Sequence, residues 1–494
     1  MSKSKTNQTL KFDSFREYAE KYLKKSKDAG IGIAFVSEDE ILFAEGIGYR
    51  DLDKKLPLTS DTIFPIASHT KSFTATGLAM LVDEGLIDWN SPIKKFVPEF
   101  KLKDPYITEN VTLTDLLSHT TGFPHHQFLF MNSEWTYKQV LKRIPYLDFA
   151  FDFRTRHKYA NINFMIATKL VEELSGKDYF KFMQARVFSP LGMKNTNFSI
   201  KDVKKTDNFT KGYNNSPDGL IETEYIELKD ISAGAGGINS TLKDMSKWIQ
   251  FLINDGKVKD KQLVSEKSLQ IMRTMQKLDN NPFTSIIPGK NYVQDYGFAL
   301  GWWSLVYRGL KMHQHYGTGP GIIFNGGFSP DAKVGYALFS NTSGSNLPFV
   351  FNFYLADLIQ GLEPIDWCEK IFATEEEPEQ SPKPKGSPKK ELPLKNTKPS
   401  RNLEEFIGTY THPGYGQLEF FIKDEQLGTR YGKGSNLKTE HYHFDTFTIH
   451  ATTLGEFAVP KLVTFRDNFE GEITHLEIDA EPLVKPAIFT KIKQ

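Results

Sequence analysis

The chain has 494 residues, long enough for two or three domains with ample buried core. Acidic and basic residues balance at 61 each, which argues against a generic nucleic-acid or anionic-membrane partner. The one cysteine, Cys368, excludes an internal disulfide; beside Trp367 and far from the histidine-bearing motifs it reads as a packed or surface thiol rather than a nucleophile.

The N-terminus is polar and lacks the apolar core of a signal peptide, and no run approaches a membrane span, so a soluble, cytoplasmic protein is expected. Residues 1–10 read as a disordered tail. Phe12 to Lys25 follows with Phe12, Phe15, Tyr18 and Tyr22 near helical spacing. Two strands, Gly30 to Val36 and Ile41 to Gly48, are joined by a turn at Ser37-Glu-Asp-Glu40. A helix opening near Ser68 should stop near Gly85. Thr112-Leu-Thr-Asp115 has capping-box form and starts a short helix through Leu117. Asn161 to Glu173 carries Ile162, Met165, Ile166 and Leu170 on one face and ends at Gly176; another helix runs from Tyr179 to Val187. Strands dominate Phe298 to Ser340, before a helix at Leu347 to Ile359. Strands, then mostly helices, then strands and a helix predict an α+β domain over 11–370. Its antiparallel sheet is closed by both ends of the segment and covered by helices. Residues 371–400 form a Pro/Lys/Glu-rich linker that cannot bury a core. Residues 401–494 read as a small all-β domain, with strands at Leu418 to Ile422, His441 to His450, Leu462 to Phe465, Ile473 to Ile478 and Ala487 to Ile492.

The most informative stretch is Ser68-His-Thr-Lys71. At a helix start, Lys71 lies one turn after Ser68 on the same face. A serine hydroxyl is a poor nucleophile, and an amine in hydrogen-bond reach can take its proton if burial lowers the amine's pKa. The helix N-terminus also favours developing negative charge. Ser-x-x-Lys recurs at Ser2, Ser91, Ser240, Ser387 and Ser435, so the pair alone reads far more readily as an N-cap serine and a solvated lysine.

Further motifs add weight. Tyr159-Ala-Asn161 sits at a loop-to-helix junction. A phenol near cationic groups can shuttle a proton, and Asn161 offers donor and acceptor to a substrate amide; the alternatives are packing for Tyr159 and a helix cap for Asn161. His315-Tyr-Gly317 ends a strand and runs into Thr318-Gly-Pro-Gly321. Gly317 permits close backbone approach, the Thr318 N–H pairs with that of Ser68 as an oxyanion hole, and His315 faces the substrate; a glycine-rich hairpin with a core histidine is the alternative. Leu116-Leu-Ser-His-Thr-Thr-Gly122 and Ser232 to Thr241 are turn-forming, with Ser118 and His119 satisfying local backbone groups.

Together and in this order, Ala67-Ser-His-Thr-Lys-Ser-Phe-Thr-Ala, Leu117-Ser-His-Thr-Thr-Gly, Tyr159-Ala-Asn, Gly236-Gly-Ile-Asn-Ser-Thr and His315-Tyr-Gly resemble the class C β-lactamase-related serine hydrolases, with their penicillin-binding-protein, D-aminopeptidase and esterase relatives. The resemblance covers about residues 15–360. It implies a β-lactamase/transpeptidase-like fold, an antiparallel sheet flanked by helices with a helical subdomain. It also implies Ser68 as acylated nucleophile, Lys71 and Tyr159 as proton-transfer pair, and Asn161, His315, Gly317 and Thr318 on the substrate. Tyr410 in Ile407-Gly-Thr-Tyr, Pro413-Gly-Tyr-Gly-Gln-Leu and His441-Tyr-His-Phe-Asp-Thr-Phe resemble a small lipocalin-like β-domain attached to such hydrolases. There, His441 and His443 two apart on one strand face read as a possible metal pair or, preferably, an aromatic surface packed on the catalytic domain.

In one respect the chain departs from the β-lactamases. They carry lysine where this chain has His315, and a mostly neutral histidine binds a carboxylate less strongly. The expectation is therefore an esterase or D-aminopeptidase-like enzyme without cofactor or metal, acting on a small-molecule or short-peptide substrate. A non-catalytic scaffold on the same fold is the alternative. A metallohydrolase built on His119, His125, His126, His313 or His315 is disfavoured, because no His-Glu-x-x-His helix exists.

Overall fold

The computed structural model describes residues 2–494 except 127–128, 130–134, 217, 226, 229, 280–291, 377–393, 395, 433–434, 452–459, 482 and 493–494. Contacts divide the chain into two compact units. One is Met1–Ser91, Leu113–Ser118 and Phe164–Pro384; the other is Pro92–Thr112, His119–Asn163 and Lys385–Gln494.

The first unit is built on a nine-stranded antiparallel sheet. Its ends meet as the strand pattern requires: Gly30–Ser37 pairs with Val334–Ser340 from Ile31↔Ser340 to Ser37↔Val334, and on its other edge with Ile41–Asp51. Gly30–Ser37 is buried at seven successive positions, so both of its faces are covered. Helix Leu242–Ile253 packs on this strand and on Val334–Ser340, and is capped by Thr241 accepting from Asp244 N at 3.1 Å. Its approach depends on a missing side chain: a Cβ on Gly335 would lie 2.3 Å from Ile249 Cγ2. Helix Leu347–Ile359 covers Ile322–Ser329 and Val334–Ser340 and receives the N-terminal helix through Phe15–Phe351 and Tyr18–Tyr354, with ring centroids 5.5 Å and 4.1 Å apart.

The N-terminal helix spans Ser2–Ser26, so the segment expected as a tail continues it; no Gly or Pro interrupts residues 2–26. Helix Trp367–Glu376 occupies the first residues of the expected linker, while 377–393 lies outside the described residues. That helix is tied down by Trp367 Nε1 donating to Tyr307 Oη at 2.9 Å and by Tyr18 and Tyr22 donating to Asp366. Cys368 is buried there, and burial pushes its thiol pKa up, as an inert packed thiol requires.

The second unit joins short helices, Pro105–Asn110 and Tyr137–Leu141 among them, to a closed eight-stranded antiparallel barrel. Gly408–His412 pairs with Ala487–Lys491, which closes the barrel and removes its edges. Phe406, Tyr410, Phe420, Phe447 and Phe465 cluster within it, with Phe406–Phe465 and Phe420–Phe465 centroids at 4.8 and 4.9 Å. The run His441 to His450, expected as one strand, is the hairpin Ser435–His443 and Thr446–Ala451, with Phe444 (φ 43) in the turn. Strands Gly408–His412 and Gln426–Tyr431 were not anticipated, because glycines and polar residues interrupt their apolar alternation. A register shift separates His441 from His443, and His441 is exposed with Nε2 2.9 Å from its own hairpin's Phe444 carbonyl. The barrel turn at Pro413–Gly416 packs on the helical segments of this unit.

Candidate active site

In the first unit, Ser68 lies in a 3-10 turn, Ala67–His69, that runs directly into helix Thr70–Asp83. Ala67 has φ 43, a left-handed conformation that an L-residue adopts only under constraint. Strand Leu310–Gly319 supplies the constraint. A Cβ on Gly317 would stand 2.1 Å from the Ile66 carbonyl oxygen and 2.8 Å from Ser68 N, so only glycine lets the strand pass this turn.

Lys71 Nζ lies 3.1 Å from Ser68 Oγ and donates to the Ala235 carbonyl at 2.6 Å. The side chain is completely buried, and desolvation pushes its pKa well below the ordinary lysine value, toward the neutral amine. Ala235 belongs to the glycine-rich stretch expected to be only a turn. Its helix, Ala233–Gly236, comes close enough that a Cβ on Gly234 would meet Thr168 Oγ1 at 2.1 Å. Thus this stretch carries a direct ligand of the lysine as well as a tight turn.

The sequence pattern did not single out His69. Its Nδ1–H donates to the His315 carbonyl at 2.8 Å, tying the residue after Ser68 to the strand that carries Gly317. The ring is fully buried between Phe324 and Trp302, and burial pushes its pKa down to about 4, so it is neutral. His315, expected to face the substrate, is itself fully buried, with Nδ1 2.7 Å from the Tyr316 carbonyl and rings of Phe298 and Tyr316 beside it. Burial above all pushes its pKa well below the usual value. Thr318 lies partly exposed two residues before the Pro320-Gly321 turn.

In the second unit, Tyr159 lies between two histidine rings, His119 at 4.5 Å and His125 at 5.5 Å between centroids. His119, with φ 57, accepts through Nδ1 at 3.2 Å from Ala160 N, a backbone group 41 residues along the chain rather than a local one; Ser118, in the first unit, donates through Oγ to the local Thr114 carbonyl at 2.6 Å. Asn161 opens helix Asn161–Ser175 and is buried, and its Oδ1 has no hydrogen-bond partner among the described residues. Such an acceptor is suited to an incoming N–H. Among the described residues, no three His, Cys, Asp or Glu side chains are grouped to hold a metal ion.

The sequence model of the family described as "Beta-lactamase" matches residues 15–360. The chain belongs to the β-lactamase family. A second model, described as a domain of unknown function (DUF3471), matches residues 392–491, the barrel. The chain is 28% identical over 480 residues to the unguisins hydrolase ungD of Aspergillus violaceofuscus, an alignment covering 88% of this chain and 82% of that protein. It is 27% identical over 234 residues to penicillin-binding protein 4* of Bacillus subtilis, covering 44% of this chain and 50% of that protein. The octameric penicillin-binding protein homologue from Pyrococcus abyssi shares the fold, with a TM-score of 0.64 at 21% identity over 97% of this chain and all (100%) of that one. The α+β hydrolase domain followed by an all-β domain is therefore the family architecture expected from the motifs. No described helix of this β-lactamase-family chain is long and apolar enough to cross a membrane.

Proposed function

We propose that this protein is a serine hydrolase that cleaves an ester or amide through an acyl-enzyme on Ser68. The observation that carries this reading is the 3.1 Å contact between Ser68 Oγ and the Nζ of a completely buried Lys71. A desolvated, neutral amine has a lone pair to take the Oγ proton as Oγ attacks the carbonyl carbon. The tetrahedral oxyanion is met by the backbone N–H groups of Ser68 and Thr318. Its collapse expels the alcohol or amine, which leaves with a proton. Water then attacks the acyl-serine and releases the acid. Tyr159 enters through the motif it shares with the family, as the second member of the proton-transfer pair; Asn161, His315, Gly317 and Thr318 take the substrate. A neutral His315 supplies no cation for a substrate carboxylate, which favours ester or amide substrates of esterase or D-aminopeptidase type over efficient β-lactam hydrolysis. The substrate is a small molecule or short peptide, and the reading places the protein in the cytoplasm.

The test is hydrolysis of a short-chain p-nitrophenyl ester, a D-amino acid p-nitroanilide and nitrocefin by wild type and Ser68→Ala, with intact-mass detection of the acyl-enzyme. Turnover of one class with a stoichiometric acyl adduct, both lost in Ser68→Ala, is expected. Equal turnover by the variant removes Ser68 as nucleophile, and a wild type that neither turns over nor acylates supports a non-catalytic scaffold.

A further inference from the structure

The C-terminal barrel has no part in the chemistry above, yet one of its turns leads to Tyr159. Tyr415, buried in the turn Pro413–Gly416, has its hydroxyl 2.8 Å from His126 Nδ1. His126 Nε2 lies 3.0 Å from the Asp148 carbonyl, which can only accept. Nε2 therefore carries the proton, and Nδ1 accepts from Tyr415. The next residue back, His125, lies against the Tyr159 ring, and the segment begins at His119, whose ring also lies beside that of Tyr159.

The segment 119–126 is held under constraint. His119 and His126 both have left-handed backbones, φ 57 and φ 44, each costing about 1–2 kcal/mol for an L-residue. Such conformations persist only where the surroundings over-determine them. The middle is pinned by Arg154 N to the Thr120 carbonyl and Ala150 N to the Gly122 carbonyl, both at 2.9 Å. At the His126 end, Tyr415 and Asp148 fix the ring.

The barrel turn is itself built to dock closely. A Cβ on Gly414 would lie 2.7 Å from Leu147 Cδ2, and one on Gly416 (φ +88) would lie 2.9 Å from Trp135 Cζ2. Arg143 stacks on Trp135 at 4.1 Å and donates to the Pro413 carbonyl at 3.3 Å. Inside the turn, His412 Nδ1 accepts from Gly414 N and Tyr415 N, and the Tyr415 carbonyl accepts from Tyr431 Oη at 2.7 Å, which anchors the Tyr415 backbone on both sides.

We propose that the barrel is a positioning element for Tyr159: Tyr415 holds His126, and with it the His125 ring that sets the orientation of the Tyr159 phenol. The proposal rests on the reading of Tyr159 as a proton-transfer group. Tyr415 and His126 act through Tyr159 and touch no substrate.

A double-mutant cycle on the full chain tests it, with a spectroscopic arm independent of turnover. Tyr415→Phe keeps the ring and removes the bond to His126. It should lower kcat on the best substrate of the panel by about ten-fold, short of the roughly hundred-fold of a full 1 Å misplacement, with KM within about two-fold. In a Tyr159→Phe background the same change should cost less than about two-fold, because the group it positions is gone. His126→Leu, which removes the acceptor for Tyr415 together with the donor to the Asp148 carbonyl, should reproduce both results. In parallel, 3,5-difluorotyrosine at position 159 should show a shifted 19F resonance in Tyr415→Phe. Equal losses in both backgrounds, or an unmoved resonance with unchanged kcat, overturns the proposal. Unchanged turnover in Ser68→Ala instead overturns the acyl-enzyme reading, while the 19F shift still decides whether the barrel orients Tyr159.

Discussion

Replacing Gly317 by alanine tests the packing that holds Ser68, the proposed nucleophile. Gly317 is not in a left-handed conformation, so alanine brings no backbone penalty of its own and the effect is steric. Its Cβ would lie 2.1 Å from the Ile66 carbonyl oxygen, against about 3.0 Å for the closest contacts real Cβ atoms show, so strand and turn must separate by about 0.9 Å. The strand has little room to retreat, being paired to Ile322–Ser329 at Gly317↔Phe324 and Thr318↔Ile323. The turn carrying Ala67 and Ser68 moves instead. A displacement near 1 Å of a reacting group costs on the order of 100-fold in rate, and overpacking costs about 1–3 kcal/mol of stability. Gly319→Ala is the control: its Cβ would meet only the flexible Ile322 side chain, at 3.2 Å. Both variants should be assayed for kcat/KM on a p-nitrophenyl ester and for their urea unfolding midpoints. If Gly317→Ala keeps activity within about two-fold of Gly319→Ala, the close approach of strand and turn does not position Ser68.

Lys71→Met should abolish at least about 100-fold of turnover while shifting the unfolding midpoint little, because the orphaned Ala235 carbonyl costs about 1–3 kcal/mol and burying an apolar chain instead of an amine offsets it. Wild-type kcat/KM should fall as pH drops through the lowered Lys71 pKa, and this acidic limb should lie well under the pH at which an ordinary lysine titrates; a limb at an ordinary lysine pKa refutes the neutral amine. Burial holds His69 and His126 at about 4 and His313 at about 3, against about 6.5 unfolded. The unfolded chain then binds more protons between those values, so stability is full above pH 6.5 and is lost as pH falls toward 4, by roughly 3 kcal/mol per histidine at the 1.36 kcal/mol per pKa unit of linkage. A urea midpoint that is flat from pH 7 to 4 contradicts this. Asp357, fully buried, accepts from Arg308 at 2.7 Å, Ile365 N at 3.0 Å and Tyr307 at 3.1 Å, so Asp357→Ala should lose about 3–5 kcal/mol by calorimetry or urea titration, leaving a part-buried guanidinium unpaired.

Much of the fold was legible in local pattern. Helix Leu347–Ile359 and the strands starting at Gly30 and Ile41 follow from apolar periodicity and turn residues, because those signals act between residues close in sequence. The ordered motifs identified the family, and the Ser68–Lys71 spacing gave the pair that meets at 3.1 Å, since one helical turn fixes it. Tertiary structure decided what depends on distant segments. Gly317 is needed because it meets Ile66 and Ser68, some 250 residues away. Lys71 is desolvated only once the Ala233–Gly236 turn and the surrounding core close over it. The burial of His315 and the bond from its carbonyl to His69 are long-range pairings of the same kind. The barrel contact at Tyr415 joins residues 289 apart. Sequence spacing sets which side chains share a turn of helix; burial and charge are set by what folds over that turn, and no local pattern encodes it.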